Sequence, residues 1–295
     1  MTSLGLDQFS HAFHVCNWKE LVELQEWFER DNGKWIYRGL RSEKWALETS
    51  LERAVRRFDR NAMPTSALEH GLIRQFQRRA HHYLPDVPER NKWIEWLALM
   101  QHHGAPTRLM DWTYSFYVGL HFAVEHFGLV RNDKSCVIWA LELDWVDKQL
   151  RRILSPEDWK VINTNDRNLE DPTTFKRIFA RPRKNRNSLV CAVNPFRLNQ
   201  RLSIQQGVFL CPGDISKPFQ DNLASLFPTK KANMKLVKCI ISLDDDARRD
   251  VARRLNRMNM TRTSLFPGLD GFSSALALSL ANPEVLVPDK AYPRD

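Results

Sequence analysis

The chain interleaves two apolar rhythms, and their order is the feature that most narrows its fold. Segments with helical spacing and short strand-like runs follow one another as helix, strand, several helices, strands, then helices. That order suits an α+β fold rather than alternating parallel units. Residues 18–30 read as a first helix, because Asn17 and Glu20 have capping-box spacing and Leu21, Leu24, Trp27 and Phe28 mark one face. Asp31-Asn32-Gly33 breaks it, and residues 34–38 read as a short strand ending at Gly39. Ser66 and Glu69 repeat the capping-box spacing ahead of a helix whose face would be Leu68, Leu72, Phe76, Ala80 and Tyr83, stopped by Pro85 and Pro88. Residues 92–100 and 114–127 read as apolar helices on either side of a Gly104-Ala105-Pro106 break and an extended piece at 107–112.

Further strands are expected at 135–143, 189–193, 207–211 and 236–243, and further helices from Ser155-Pro156, over 244–259 and over 272–280. The expectation is a small, mostly antiparallel sheet with a helical insertion between its first two strands and helices around it. No Pro/Gly/Ser-rich linker interrupts the chain. One domain over 1–295 is therefore expected, with its core at about 18–280 and a polar, basic insertion at about 165–187.

Composition sets outer limits. Ten Trp and sixteen Phe in 295 residues supply a substantial core and argue against disorder. There is no run of about 18 apolar residues, so no transmembrane helix and no membrane partner are expected. Residues 1–13 lack a basic start followed by an apolar stretch, so a cytoplasmic protein is expected. No two of the five cysteines lie within three residues, which removes CxxC motifs and points to reduced, buried thiols. The net charge of +9, from 44 Lys+Arg against 35 Asp+Glu, favours an anionic partner such as nucleic acid, a nucleotide or an acidic protein. The basic residues gather moderately at Arg53, Arg56, Arg57 and Arg60, at Arg74, Arg78 and Arg79, and at Arg181, Arg183, Lys184 and Arg186. This last group is the candidate for gripping nucleic acid.

Generic catalytic patterns are missing: there is no GxGxxG, GxxxxGK[ST], HExxH or GxSxG. His121 and Glu125 share a helix face at i,i+4 but are only two potential ligands, so no metal is expected. Two segments stand out on physical grounds. The first is Tyr37-Arg38-Gly39, where an Arg ending an apolar strand needs a fixed anionic partner, either a carboxylate of the fold or a bound phosphate. The second runs from Gln101 to Thr113 as QHHGAPTRLMDWT, a loop dense in donors and acceptors between two apolar helices. It reads either as a binding site or as a buried Arg108–Asp111 network that holds the loop. The helix start near Ser115 offers amides that suit an anion.

Those segments carry a family resemblance. Tyr37-Arg38-Gly39 resembles the [FY]RG signature of the FRG domain, and QHHGAPTRLMDWT resembles that family's QHxGxPTRLLDWT stretch, with Met110 where Leu is usual. Ser115 with GLHFA (119–123), RLSIQQGVF (201–209) and TSLFPGLDG (263–271) resemble its later segments. FRG domains occur mostly in bacteria and their viruses, which implies a role in toxicity or antiviral defence, with an antitoxin or regulatory protein as a possible partner. The layout also resembles ADP-ribosyltransferases, and this implies a transferase using NAD as substrate. Carried over, Tyr37, Arg38 and Gly39 would bind NAD, with His103, Thr107, Arg108, Ser115 and Gln205 lining the site. Arg38, Asp111 and Gln206 would be catalytic. The family pattern of transferases has Glu where Gln206 stands, so a strong base is missing there. The acceptor would be RNA, DNA or a protein. Two alternatives stay open: a module that binds nucleic acid or a nucleotide without turnover, and a metal-dependent nuclease using Asp111, His102 or His103, and Glu125.

Overall fold

The computed structural model describes residues 6–58, 63–125, 135–162, 172–181, 187–227 and 234–279. Seven strands form one sheet: β1 (His11–Val15), β2 (Trp35–Leu40), β3 (Met110–Thr113), β4 (Cys136–Glu142), β5 (Val190–Val193), β6 (Gly207–Pro212) and β7 (Leu236–Ile241). Their order is β1-β7-β4-β2-β3-β6-β5. Every neighbouring pair is antiparallel except β1 and β7. The helices are α1 (Trp18–Arg30), α2 (Ser50–Arg57), α3 (Thr65–Gln77), α4 (Trp93–His102), α5 (Phe116–Val124), α6 (Leu143–Ile153), α7 (Pro156–Ile162), α8 (Pro172–Phe179), α9 (Gln200–Ile204), α10 (Phe219–Ala224), α11 (Asp245–Arg257), α12 (Arg262–Leu265) and α13 (Leu269–Ser279). The fold is α+β with a mostly antiparallel sheet, as the sequence implies, and α2 to α4 are the insertion between β2 and β3. None of the described helices is long and apolar enough to cross a membrane.

The sheet gains a strand the sequence does not announce. In β1 only Val15 is buried, and His11 and His14 are exposed, so apolar alternation barely shows there. The strand pairs with β7 at the sheet edge through its backbone.

Helices cover both faces of the sheet. Trp35 and Tyr37 of β2, Ile138 and Ala140 of β4, and Val237 and Cys239 of β7 face α1, α5 and α11. Ile36, Val137, Trp139, Leu141 and Leu236 face the opposite core, which includes residues of α4, α6 and α8. Strands buried on both faces lose period-two alternation, which is why β4 reads as an unbroken apolar run. No disulfide joins the five cysteines; Cys136, Cys191, Cys211 and Cys239 are buried, while Cys16 is exposed.

Local sequence explains most helix starts. Asn17 caps α1, its side chain accepting from Glu20 N at 3.0 Å while its amide donates to Glu20 Oε1 at 2.8 Å. Asp244 caps α11, where Asp245 and Asp246 complement the positive end of the helix dipole. The expected capping box at Ser66 and Glu69 is absent. Ser66 lies inside α3, and the cap position is Pro64, which makes no side-chain bond. A complete box instead starts α2, between Thr49 and Glu52. The expected apolar face of α3 is also turned. Leu72 is exposed while Glu69 and Ile73 face inward, Glu69 with a buried ion pair, although Phe76 still packs against the core and Ala80 is buried as expected. Tyr83 lies past the helix end and is 82% exposed.

Candidate functional site

A cavity of about 360 Å³ opens over the junction of β2 and β3. Strand β2 supplies Arg38, and β3 supplies Asp111. The segment entering β6 supplies Arg201 and Gln205, the end of α5 supplies Glu125, and α12 with the residue after it supplies Arg262 and Phe266. Arg41 and Trp45 stand at its edge, with the guanidinium of Arg41 5.2 Å from the Trp45 ring centroid. Four arginines thus share one cavity with two carboxylates.

Glycine builds the floor. A Cβ on Gly39 would lie 2.1 Å from the Gly119 carbonyl oxygen and 2.5 Å from Ala123 N, so only glycine lets α5 approach β2 this closely. Gly119 meets Tyr37 Cβ in the same way at 2.9 Å. Tyr37 packs its ring against Phe28 and Phe116, and burial pushes its hydroxyl pKa up. Gly39 and Tyr37 therefore serve first to seat α5, although both also border the cavity.

Of the two anionic partners expected for Arg38, a carboxylate of the fold or a bound phosphate, the described residues do not supply the first as a hydrogen-bonded side chain. Arg38 Nη1 donates to the backbone carbonyl of Asp111, and its Nε is buried with no acceptor. Burial lowers its pKa from the ordinary arginine value, the charge of Asp111 opposes this, and Arg53 adds to it. The Asp111 carboxylate is held from the other side, Oδ2 accepting from Gln101 Nε2 at 2.8 Å. Arg201 behaves similarly to Arg38. Burial lowers its pKa, Asp111 opposes and Arg262 reinforces, while its guanidinium lies over the Phe266 ring, 4.5 Å from the centroid. Arg262 lies 4.6 Å from the same ring and donates to Glu125 Oε1 at 2.9 Å. Burial alone would raise the Glu125 pKa, but His121 and Arg262 together hold it down at about 2. His121 Nε2 lies 3.6 Å from Glu125, an ion-pair distance rather than a hydrogen bond.

A second, much smaller pocket, lined by Gln101, His102 and Asn199 among others, shares Asp111, Arg201 and Gln205 with the cavity. His102 Nδ1 is buried there without a partner, and burial, with His103 and Arg201, lowers its pKa.

The other expected site residues divide sharply. Arg108 does not reach the cavity. It is 3% exposed, donates through Nε to Glu69 Oε1 at 2.7 Å and through Nη2 to Glu69 Oε2, and through Nη1 to Phe179 O at 2.7 Å. The expected Arg108–Asp111 network is thus replaced by two separate ones. Thr107 is fully buried, its hydroxyl donating to Gln101 Oε1 at 2.6 Å and accepting from Leu109 N at 3.1 Å. Ser115 caps α5, accepting from Val118 N at 3.3 Å, and its own amide donates to Thr113 Oγ1. The amides read as an anion site are thus partly used by the protein itself. His103 is exposed and borders an apolar hollow instead, beside Phe76 and Met100.

Gln205 lines the cavity but spends its amide on Leu265 O at 2.9 Å. Gln206 is exposed, sits in the left-handed region at φ 47°, and is not among the lining residues. Arg181 pairs with Asp158 beside Arg177, and Arg183, Lys184 and Arg186 lie outside the described residues. The basic insertion is partly structural, since α8 buries Phe175, Ile178 and Phe179. Among the described residues no group of three or more His, Cys, Asp or Glu is placed to hold a metal ion, so the nuclease reading finds no ligand set there.

Sequence reasoning missed Arg201, Arg262 and Phe266 as site residues. Arg201 and Phe266 lie within RLSIQQGVF and TSLFPGLDG, segments notable in the sequence only for resemblance, and their convergence on Arg38 is a long-range event.

An α+β protein with an arginine-lined cavity between a central strand and its neighbour is the class these features define. Residues 33–128, from the entry to β2 past the end of α5, match the family model described as FRG domain. The segments holding Arg201, Arg262 and Phe266 lie outside the matched stretch. Comparison with curated proteins and with solved structures returns no match.

Proposed function

We propose that the cavity binds a nucleotide through its phosphates, and that its reaction is transfer of ADP-ribose from NAD to a nucleic-acid or protein acceptor. One observation carries the binding step: the guanidiniums of Arg38 and Arg201 border a common cavity, and among the described residues neither is paired directly with a carboxylate side chain. Desolvated guanidinium donors without an anion are poised for phosphate oxygens. The volume of about 360 Å³ lies in the range of small-molecule sites. Phe266, Phe122 and Trp45 give apolar surface for a ring.

The transfer step rests on Asp111 and Glu125. Nicotinamide would leave with the electron pair of its bond to the ribose C1′, and an ionised carboxylate beside that carbon stabilises the cation that forms. The acceptor would then bond to C1′ and lose its proton. A second reading, binding without turnover, is favoured by a specific observation: both carboxylates are already engaged, Asp111 by Gln101 and Glu125 by Arg262.

The test is nicotinamide release from NAD by the purified protein, with and without RNA or DNA, alongside calorimetric titration of NAD and ADP. Arg201→Ala should weaken binding roughly 10- to 100-fold, the loss of a charge-assisted bond. Saturable binding with no release in any condition would establish the second reading. Absence of nucleotide binding by folded protein would remove both.

A further inference from the structure

Helix α2 carries a second basic surface. Its Arg53, Arg56 and Arg57, together with Phe58, Gly104 and Pro106, line an open groove of about 700 Å³. We propose that single-stranded nucleic acid docks in this groove, with a base stacked on Phe58 and phosphates held by the α2 arginines.

Charge comes first. Glu52 faces inward and is spent on backbone amides, accepting from Thr49 N at 2.6 Å and from Phe219 N. Among the described residues, one carboxylate pairs with a groove arginine: Glu48, with Arg56 at 2.7 Å. The Arg56 side chain remains 71% exposed, so this pair is weak and yields readily to a phosphate. Arg53 Nη1 donates only to a backbone carbonyl, that of Glu48.

The aromatic selects the class of polyanion. Phe58 is 64% exposed, far more than burial of its apolar surface would favour, and the Arg57 guanidinium stands 5.7 Å from its ring centroid. An acidic peptide does not carry a ring at every charge, and a duplex hides its base faces. A single strand presents both a phosphate chain and open base faces, the combination that arginines with an exposed aromatic recognise. Position adds a further reason. Arg53 is close enough to Arg38 to act on its ionisation, and Trp45 at the cavity edge, 47% exposed, precedes the cap of α2. The cavity edge at Trp45 and the groove on α2 thus belong to neighbouring stretches of the chain. If the cavity transfers ADP-ribose, the groove presents its acceptor, but docking itself does not depend on that reaction.

The experiment is fluorescence anisotropy with labelled oligo-dT and oligo-U over a salt series, using the parent protein, Arg57→Ala, Phe58→Ala and Arg201→Ala, each checked by thermal melting. Both α2 substitutions lie at exposed positions and should fold. The parent should bind single strands more tightly than duplex. Phe58→Ala should weaken binding about tenfold at all salt concentrations. Arg57→Ala should also weaken it and reduce the salt slope by about 1. Arg201→Ala should weaken mononucleotide binding roughly 10- to 100-fold and keep oligonucleotide binding, which separates failure of the cavity from failure of the groove. The proposal is overturned by absence of oligonucleotide binding in the parent, by equal binding of duplex or equal competition by polyglutamate, or by unchanged affinity in Phe58→Ala.

Discussion

Arg108 and Arg38 come from the two most distinctive segments of the sequence, yet the fold uses them in opposite ways. Arg108 is buried, with two nitrogens on Glu69 and a third on the Phe179 carbonyl. Burial alone would lower its pKa, and Glu69 more than reverses that. Arg38 has one backbone acceptor and a buried Nε with none. Chemically identical side chains thus divide by what the fold leaves unsatisfied. Arg108 clamps α3 and the end of α8 to the loop before β3. Arg38, like Arg201, keeps donor capacity that only something from outside can use.

The sharpest way to break this contrast is Arg108→Ala. It leaves Glu69 as a buried, uncompensated carboxylate and should cost about 3–5 kcal/mol of stability. Replacing both partners, Arg108→Met with Glu69→Met, should recover most of that loss, because no charge is then stranded. Urea denaturation midpoints measure both. Arg201→Ala should stay within about 0.5 kcal/mol by the same assay, since it removes no buried partner of its own. A cost for Arg108→Ala as small as that would erase the division between clamp and site.

A smaller loss should follow Gly39→Ala, which sets a methyl 2.1 Å from the Gly119 carbonyl oxygen. Moving α5 off β2 to relieve that overlap should cost about 1–3 kcal/mol. Because α5 also carries Glu125 into the cavity, nucleotide affinity should fall with stability. If stability falls while affinity is kept, the floor of the cavity does not depend on the seating of α5.

Local features of this fold were readable and distant ones were not. Helix α1 follows from Asn17, Glu20 and the apolar face behind them, and β4 from its β-branched run, because both are decided within a dozen residues. The turn of α3 was hidden, since its inward face is set by Glu69 meeting Arg108 thirty-nine positions away. Nothing in the spacing of Leu68, Leu72 and Phe76 reports that partner. In the site, Arg38 and Asp111 were legible from motif chemistry. Arg201 and Arg262 were not, because each is one arginine among many until α9 and α12 fold back over β2. Gln206 stands out in the sequence only by its place in RLSIQQGVF. Its left-handed backbone explains why Gln205 takes the inward position instead.

The smallest effect separates the two networks by pH. Glu125 lies in the cavity network, with a side chain 7% exposed and a pKa of about 2 against an ordinary 4.5. A depressed carboxylate pKa means that the folded state holds the proton less tightly than the unfolded one. The stabilisation is therefore complete above the ordinary carboxylate range and lost as pH falls from about 5 toward 2. Glu125→Gln should remove that part of the acid sensitivity. The parent and variant curves of urea midpoint against pH should run parallel above about 5 and converge below it. Protonation also frees Arg262 from its carboxylate, so nucleotide affinity in the parent should not fall in step with stability over the upper part of that range. Curves that stay parallel down to the acid limit would show that His121 and Arg262 do not depress the Glu125 pKa, and the cavity network would then add no acid sensitivity to the fold.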